Sequence, residues 1–503
     1  MTTTRRRFIE MAGYGIGAAT LPLGSMSSAL AACSSGDKKV IMIYLRGGAD
    51  AFNMVAPRTL PAADVSFYLN RDGSGTDVLS LGRSDLFADV SGFFQYKDLI
   101  TSGSLSPGLV LDNGSGAPRT DFMFHPNMGE FQRLFNNGNL SVVMGTAGQA
   151  NRSHFKAQDA TEKARPHGSP FGNTNGWFYD IAHSTSGGTA DPLFGVGIGP
   201  GIPEALYGPD STRTVAIAAI NGFALEDTVA EYEQLLANLY DPQAGHESFR
   251  VARDAGALTL TAKSKIDVLG DFSPASSQWD MNNSLQRNLY DAARLVEFSA
   301  ETRLVSIDLG GWDTHSRQRS RQSALAASLN GGLAALVDQL TLSGCLADTC
   351  IMVMTEFGRT FDFNGNGGTD HGDAGAMYII NGGSNFTGGG KILNSAFDTT
   401  DPSRDAWNWP TAANPDLHNW KKNGRFYGPT HTDFRSVYAD VMQGFLALSD
   451  ADIAAVMGTP NFANTNHPDS QEFQKIMGGT PIPSGVDEAP GQSGIPGLFS
   501  TSS

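Results

Sequence analysis

The chain has 503 residues, 40% hydrophobic and 17% charged, with 59 Gly and 24 Pro, which excludes a disordered chain and suits a folded body with many irregular loops. Lys and Arg number 35 against 51 Asp and Glu, a formal charge of −16, which excludes a nucleic acid held through its phosphates and suits cations instead. No fixed-period repeat is present, so solenoids and propellers are excluded as well.

The first segment reads as an address. Thr4-Arg5-Arg6-Arg7-Phe8-Ile9 fits a twin-arginine export signal, followed by a weakly apolar Gly/Ala-rich stretch to Ala32. Gly13, Gly15, Gly17, Pro22 and Gly24 disfavour a stable membrane helix, so residues 1–32 are expected to be read by the twin-arginine translocase and removed. Leu30-Ala31-Ala32-Cys33 resembles a lipobox, in which Cys33 becomes the lipidated first residue; ordinary cleavage after Ala31 is the other reading. The expected location is the periplasm or cell envelope, with membrane contact only through a lipid on Cys33. Residues 33–39 read as a tether, 40–480 as the folded domain and 481–503 as a disordered tail.

Short apolar runs follow in chain order, each ending near Gly and a polar residue. Val40–Leu45, Leu140–Met144, Leu304–Leu309, Thr349–Met354 and Ala376–Ile380 read as buried parallel strands. Helical spacing marks His154–Lys163, Asn283–Ser299, Ser323–Leu342 and Asp433–Leu448. The alternation gives an α/β fold with a mainly parallel central sheet sandwiched between helices. The Gly/Ser/Asn/Asp-rich stretches 64–117 and 360–423 read as long loop insertions over the site. Cys345 and Cys350 either close a small disulfide ring or remain two buried thiols.

Ligands in such sheets sit beyond the carboxyl ends of the strands, and the polar clusters fall there. Asp50, Asp313-Thr314-His315 and Asp370-His371 offer hard oxygen and borderline nitrogen donors for divalent ions, with His431 as a further imidazole. Ser153 opens a helix and is either a plain N-cap or a nucleophile at a site that favours anions. His154 or His315 would move the proton. Arg152 would meet an anionic substrate, and Glu356 with Arg359 would bind substrate, orient metal ligands or form a structural salt bridge.

Six motifs occur in order: Arg46-Gly47-Gly48-Ala49-Asp50, Phe124-His125-Pro126-Asn127, Arg152-Ser153-His154-Phe155, Gly311-Trp312-Asp313-Thr314-His315, Thr355-Glu356-Phe357-Gly358-Arg359-Thr360 and Thr369-Asp370-His371-Gly372. Together, over Val40 to about Thr459, they resemble the exported bacterial family called domain of unknown function 1501, grouped with the alkaline phosphatase and sulfatase superfamily. The resemblance implies an alkaline phosphatase-like sheet and one or two divalent ions, with Zn, Mn, Mg and Ca not distinguished. It implies a hydroxyl or metal-bound water attacking a phosphate or sulfate ester, on a glycan or lipid. Asp50 would match the first-strand metal carboxylate, Ser153 the nucleophile and Asp370-His371 the paired ligands. The superfamily spaces its other Asp and His by three residues, whereas one separates Asp313 from His315; His315 would then bind substrate, or His431 would complete the set. The alternative is a non-catalytic envelope lipoprotein that binds polysaccharide or a partner protein on the same fold.

Overall fold

Lys39–Leu45 (β1) is buried at all seven positions, which a strand needs when both sheet faces are covered. Its alternate side chains divide the interior: Ile41, Ile43 and Leu45 join one hydrophobic core, while Val40, Met42 and Tyr44 join another on the opposite face. A period of two in one strand thus builds a sheet between two layers.

The computed structural model describes Cys33 and residues 38–57, 110–112, 118–125, 127–147, 152–165, 174–185, 191–209, 213–222, 230–241, 250–269, 274–364, 366–372, 374–393, 432–478 and 497–500. The expected export signal, residues 34–37 of the tether, and His431 lie outside them. The further strands are Val55–Pro57 (β2), Val110–Asp112 (β3), Pro118–Phe124 (β4), Leu140–Ala147 (β5), Gly195–Ile198 (β6), Thr214–Ile217 (β7), Leu304–Leu309 (β8), Thr349–Met354 (β9), Arg359–Phe363 (β10), Thr369–His371 (β11), Gly375–Ile380 (β12), Ile392–Leu393 (β13) and Thr432–Asp433 (β14). The helices are Ala51–Met54 (α1), Gly129–Asn136 (α2), His154–Glu162 (α3), Trp177–Thr185 (α4), Ala230–Leu239 (α5), Arg250–Val268 (α6), Ser284–Phe298 (α7), Gln318–Leu342 (α8), Phe434–Asp440 (α9), Asp450–Val456 (α10) and Pro468–Gly478 (α11).

Nine strands form one mixed, mostly parallel sheet in the order β13-β5-β12-β9-β1-β8-β6-β7, with β14 also paired to β5. The five strands read from sequence are its contiguous centre. One corrects the expectation: β12 runs antiparallel to both β5 and β9. Burial on both faces makes an apolar run of either direction, so the run alone carries no sign. Helices α2, α7 and α8 supply apolar side chains to one core, and α4, α9, α10 and α11 to the other. Among the described residues, no helix is long and apolar enough to cross a membrane. In the stretch expected as loop 360–423, the described residues include β11, β12 and β13.

The cysteines differ from expectation. Cys33 and Cys345 form a disulfide with Cα atoms 5.4 Å apart, and Cys350 is a free buried thiol. Cys345 belongs to the core on one face of the sheet and Cys350 to the core on the other, so proximity in sequence does not bring the two sulfurs together. The disulfide also occupies the sulfur expected to carry a lipid.

Four residues of the expected tail, 497–500, are among those described. Within the stretch read as a disordered tail, Leu498 and Phe499 are buried; Phe499 bridges to Phe386, and Leu498 N–H donates to Asp440 Oδ2 at 2.7 Å. Burial pushes the Asp440 carboxyl up to about 6, against the backbone N–H groups of Leu498, Phe499 and Gly497, which pull it down. A carboxyl raised in the fold stabilises fully below its unfolded value and loses that contribution as pH rises through about 6. Asp440→Asn is therefore expected to remove a fall in stability between about pH 4 and 7 of up to about 3 kcal/mol. Denaturant midpoints against pH for both proteins measure this; parallel profiles would contradict it.

Candidate metal centre

Three loops after parallel strands are sewn together at Gly47, just past β1. Its φ is +125°, and an added Cβ would lie 2.1 Å from the backbone nitrogen of Asp313, so a residue without a side chain is required. Trp312 N–H donates to Arg46 O at 3.1 Å, joining the β1 and β8 loops. Gly47 N–H donates to Glu356 Oε1 at 2.8 Å, joining the β9 loop. Because β12 is antiparallel, the segment preceding it enters at the edge where the parallel strands exit. That segment is the β10–β11 hairpin, whose register sets Arg359 opposite His371. Gly368 lets the hairpin pass the β8 loop, since a Cβ there would lie 2.3 Å from the His315 carbonyl carbon.

Four side chains converge at this edge. His371 Nε2 is 3.1 Å and His315 Nε2 3.0 Å from Asp313 Oδ1, and His154 Nε2 is 3.4 Å from Asp313 Oδ2. Ligand atoms of His154, Asp313 and His371 all lie within 4.8 Å of one another, and His315 Nε2 is 2.9 Å from His371 Nε2. Asp313 and His315 meet here despite the single residue between them.

Each imidazole is oriented from behind. His154 Nδ1 faces Glu356 Oε1 at 2.8 Å, His315 Nδ1 faces Asp370 Oδ1 at 2.9 Å and His371 Nδ1 faces the Arg152 carbonyl at 2.6 Å. Carboxylates and carbonyls only accept, so each Nδ1 carries a hydrogen; in the neutral ring Nε2 then presents a lone pair to the cluster, and in the protonated ring it donates, as His371 Nε2 does toward Asp313 Oδ1. The Phe357 ring packs against His154 and His371, with centroids 5.0 and 4.7 Å away. His154 Nε2 is buried and makes no hydrogen bond.

The protonation equilibria follow from these contacts. The hydrogen bond to Glu356 raises the His154 pKa above its ordinary value against desolvation. Desolvation lowers that of His371. Desolvation raises Asp313, but hydrogen bonds from Arg359 and His371 outweigh it and hold the carboxyl at about 2. Glu356 is buried, yet its contacts with His154, Gln158 and Gly47 hold it below the ordinary value.

The remaining expected residues take other places. Arg359 is buried and its guanidinium donates to Asp313 Oδ1 at 2.9 Å, Gly47 O at 3.1 Å and Thr369 Oγ1 at 3.1 Å, and also to Thr369 O. It is a fixed buried cation paired with Asp313, the geometry expected of a residue that orients a ligand or forms a structural salt bridge. Asp50 is also buried; its Oδ2 accepts from Asn53 and Gln318, each at 2.7 Å, and Gln318 Oε1 accepts from Thr369. Asp50 thus props the hairpin through two hydrogen bonds and stands outside the four-residue cluster. Asp370 faces the back of His315 and accepts from Asn364. Ser153 is the N-cap of α3 and makes no side-chain cap bond to it, while exposed Arg152 reaches His371 O at 3.5 Å.

Sequence reading assigned His154 to proton transfer alone and missed Gln158, Gln318, Thr369 and Asn364 as supports. Gln158 carried a usable signal: it is one helical turn after His154, and both side chains reach Glu356 Oε1. The others are joined only by the tertiary path of the hairpin.

Residues 242–393 match the model of a family described as "Protein of unknown function (DUF1501)". That stretch contains Asp313, His315, Glu356, Arg359, Asp370 and His371, and it supports the family resemblance there. No curated protein matches the chain. Among solved structures the chain is similar to the PH0037 protein from Pyrococcus horikoshii, at 11% identity and a TM-score of 0.27, over 69% of this chain and 86% of that one. A likeness that slight carries no argument.

Two substitutions test the assembly of this edge. Gly47→Ala is expected to cost about 3 kcal/mol or more in chemical denaturation, from combined backbone strain and overlap. Arg359→Gln should raise the Asp313 carboxyl from about 2 toward the ordinary range, read by NMR titration; an unchanged value would show that Arg359 does not hold it.

Proposed function

We propose that the protein is an exported, metal-dependent hydrolase of phosphate or sulfate esters on an alkaline phosphatase-like fold. One observation carries the reading. His315 Nε2 and His371 Nε2 stand 2.9 Å apart with both Nδ1 atoms committed to acceptors, so two lone pairs face each other beside a carboxylate. Two neutral imidazoles in that arrangement repel; a proton or a shared cation relieves it.

The donor set fits a cation. Three imidazoles and one carboxylate suit a borderline ion of the zinc type better than Mg or Ca, which take oxygen ligands. His154, His315, His371 and Asp313 would hold it, and Arg359 already supplies a positive charge at Asp313 Oδ1. When bound, such an ion polarises an ester oxygen and activates water or a hydroxyl. Glu356, Asp370 and the Arg152 carbonyl hold the rings in the tautomer that leaves Nε2 available. Ser153, adjacent to His154 at the start of α3, is the proposed hydroxyl nucleophile. Exposed Arg152 is suited to an ester oxygen, and the helix N-terminus adds positive potential for the same anion.

The first test is elemental analysis of the mature protein with a screen of aryl phosphates, phosphodiesters and sulfate esters. About one zinc-type ion per chain is expected, with metal and turnover lost together in Asp313→Ala and His371→Ala. Protein that takes up no Zn, Mn, Mg or Ca and turns over no ester would point instead to the non-catalytic envelope protein. Glu356→Gln should weaken metal binding by about 10–100-fold while leaving the fold intact. Metal retention should also fall as pH is lowered, because protons compete for Nε2 and Glu356 favours protonated His154; equilibrium dialysis across pH measures it, and flat retention would contradict it.

A further inference from the structure

We infer that Cys33 is half of a structural cystine that clasps the start of the folded chain to the sheet, and that it carries no lipid. Its partner Cys345 is fully buried. Cys33 itself packs against the core on that face, its sulfur 3.9 Å from Val296 O at the end of α7. The strap that follows is held at the same spot. Lys38 Nζ meets Asp348 Oδ1 at 2.8 Å, three residues beyond Cys345, and the buried Lys39 Nζ donates to Ser299 O at 2.6 Å. The cystine therefore closes a seam that two lysines already hold in register, which differs from a free tether leading to a membrane.

The chemistry makes the two fates exclusive. A thioether to a lipid needs the Cys33 sulfur, and so does the disulfide. Oxidation here joins two thiols through one S–S bond, while a disulfide-bearing oxidant has its own S–S bond broken and leaves as a dithiol with two electrons and two protons. Such a cystine persists in an oxidising compartment. The bond sits just before β9 begins, at the opposite end of that strand from Glu356, so it fastens the chain without touching the metal cluster.

The test uses the full chain expressed with its export segment, the mature protein being recovered separately from membrane and soluble envelope fractions. Maleimide labelling after denaturation should find one thiol, Cys350, rising to three on reduction, with one cross-linked peptide containing Cys33 and Cys345. Reduction should lower the wild-type Tm, whereas the Tm of Cys33→Ser, Cys345→Ser and the double variant should not respond to reduction. A diacylglyceryl-modified Cys33, three thiols before reduction, or a Cys345–Cys350 peptide would each overturn the inference. A wild-type Tm unchanged by reduction would overturn the clasp.

Discussion

The site depends on how closely two backbones approach at Gly47. With no side chain there, the loop after β1 lies directly on the loop after β8, and Gly47 comes within hydrogen-bond reach of two residues 309 and 312 positions away in sequence. Gly47 N–H binds Glu356, and Gly47 O binds Arg359. Glu356 then orients His154 and Arg359 anchors Asp313. The glycine fixes, through one peptide unit on each side, both the carboxylate at the centre of the cluster and the support behind one of its imidazoles.

The direction of β12 is the second constraint. A wholly parallel sheet would bring this segment in from the far end, and the polar residues before the strand would be remote from Asp313 and His154. Running it backwards between β5 and β9 delivers the β10–β11 hairpin to the shared edge. The arrangement adds His371 as a ligand candidate and Asp370 as a support from one short strand, and the hairpin register places Arg359 beside them. A single reversed strand therefore brings one candidate donor, His371, and two supports, Asp370 and Arg359, to the shared edge.

Much of this was legible in the sequence, and what was missed shares a cause. β1, β5, β8 and β9 were readable because each is a short, mainly apolar run with Gly close by; the end of β8 pointed to Asp313 and His315, and the segment before the run 376–380 to Asp370 and His371. β6 and β7 were missed because GVGI and TVAI are too short and too small in side chain to stand above the loops around them. α6, Arg250–Val268, was missed because Thr259, Thr261 and the scattered charges blur its apolar stripe. Neither reading of the cysteines paired Cys33 with Cys345, because the two lie 312 positions apart in sequence, and the alternation of β9 turns Cys350 to the other face of the sheet. Asp50 looked like a ligand by position, yet Gln318 and Asn53, one of them more than 250 residues away, decide where its carboxylate points.

Charge bookkeeping at the cluster gives the strongest physical constraint on what it can hold. Asp313, Glu356 and Asp370 all have pKa values below their ordinary range, so all three are ionised at neutral pH. Against them, among the residues in direct contact, stands the guanidinium of Arg359. The three imidazoles must make up the deficit or share it. Burial disfavours the charge on His371, while Glu356 favours it on His154, so protons neutralise the cluster unevenly and leave Nε2 lone pairs opposed. A divalent cation would balance the same two charges at once and use every lone pair directed inward. That balance of charge is the electrostatic argument for the proposed metal site.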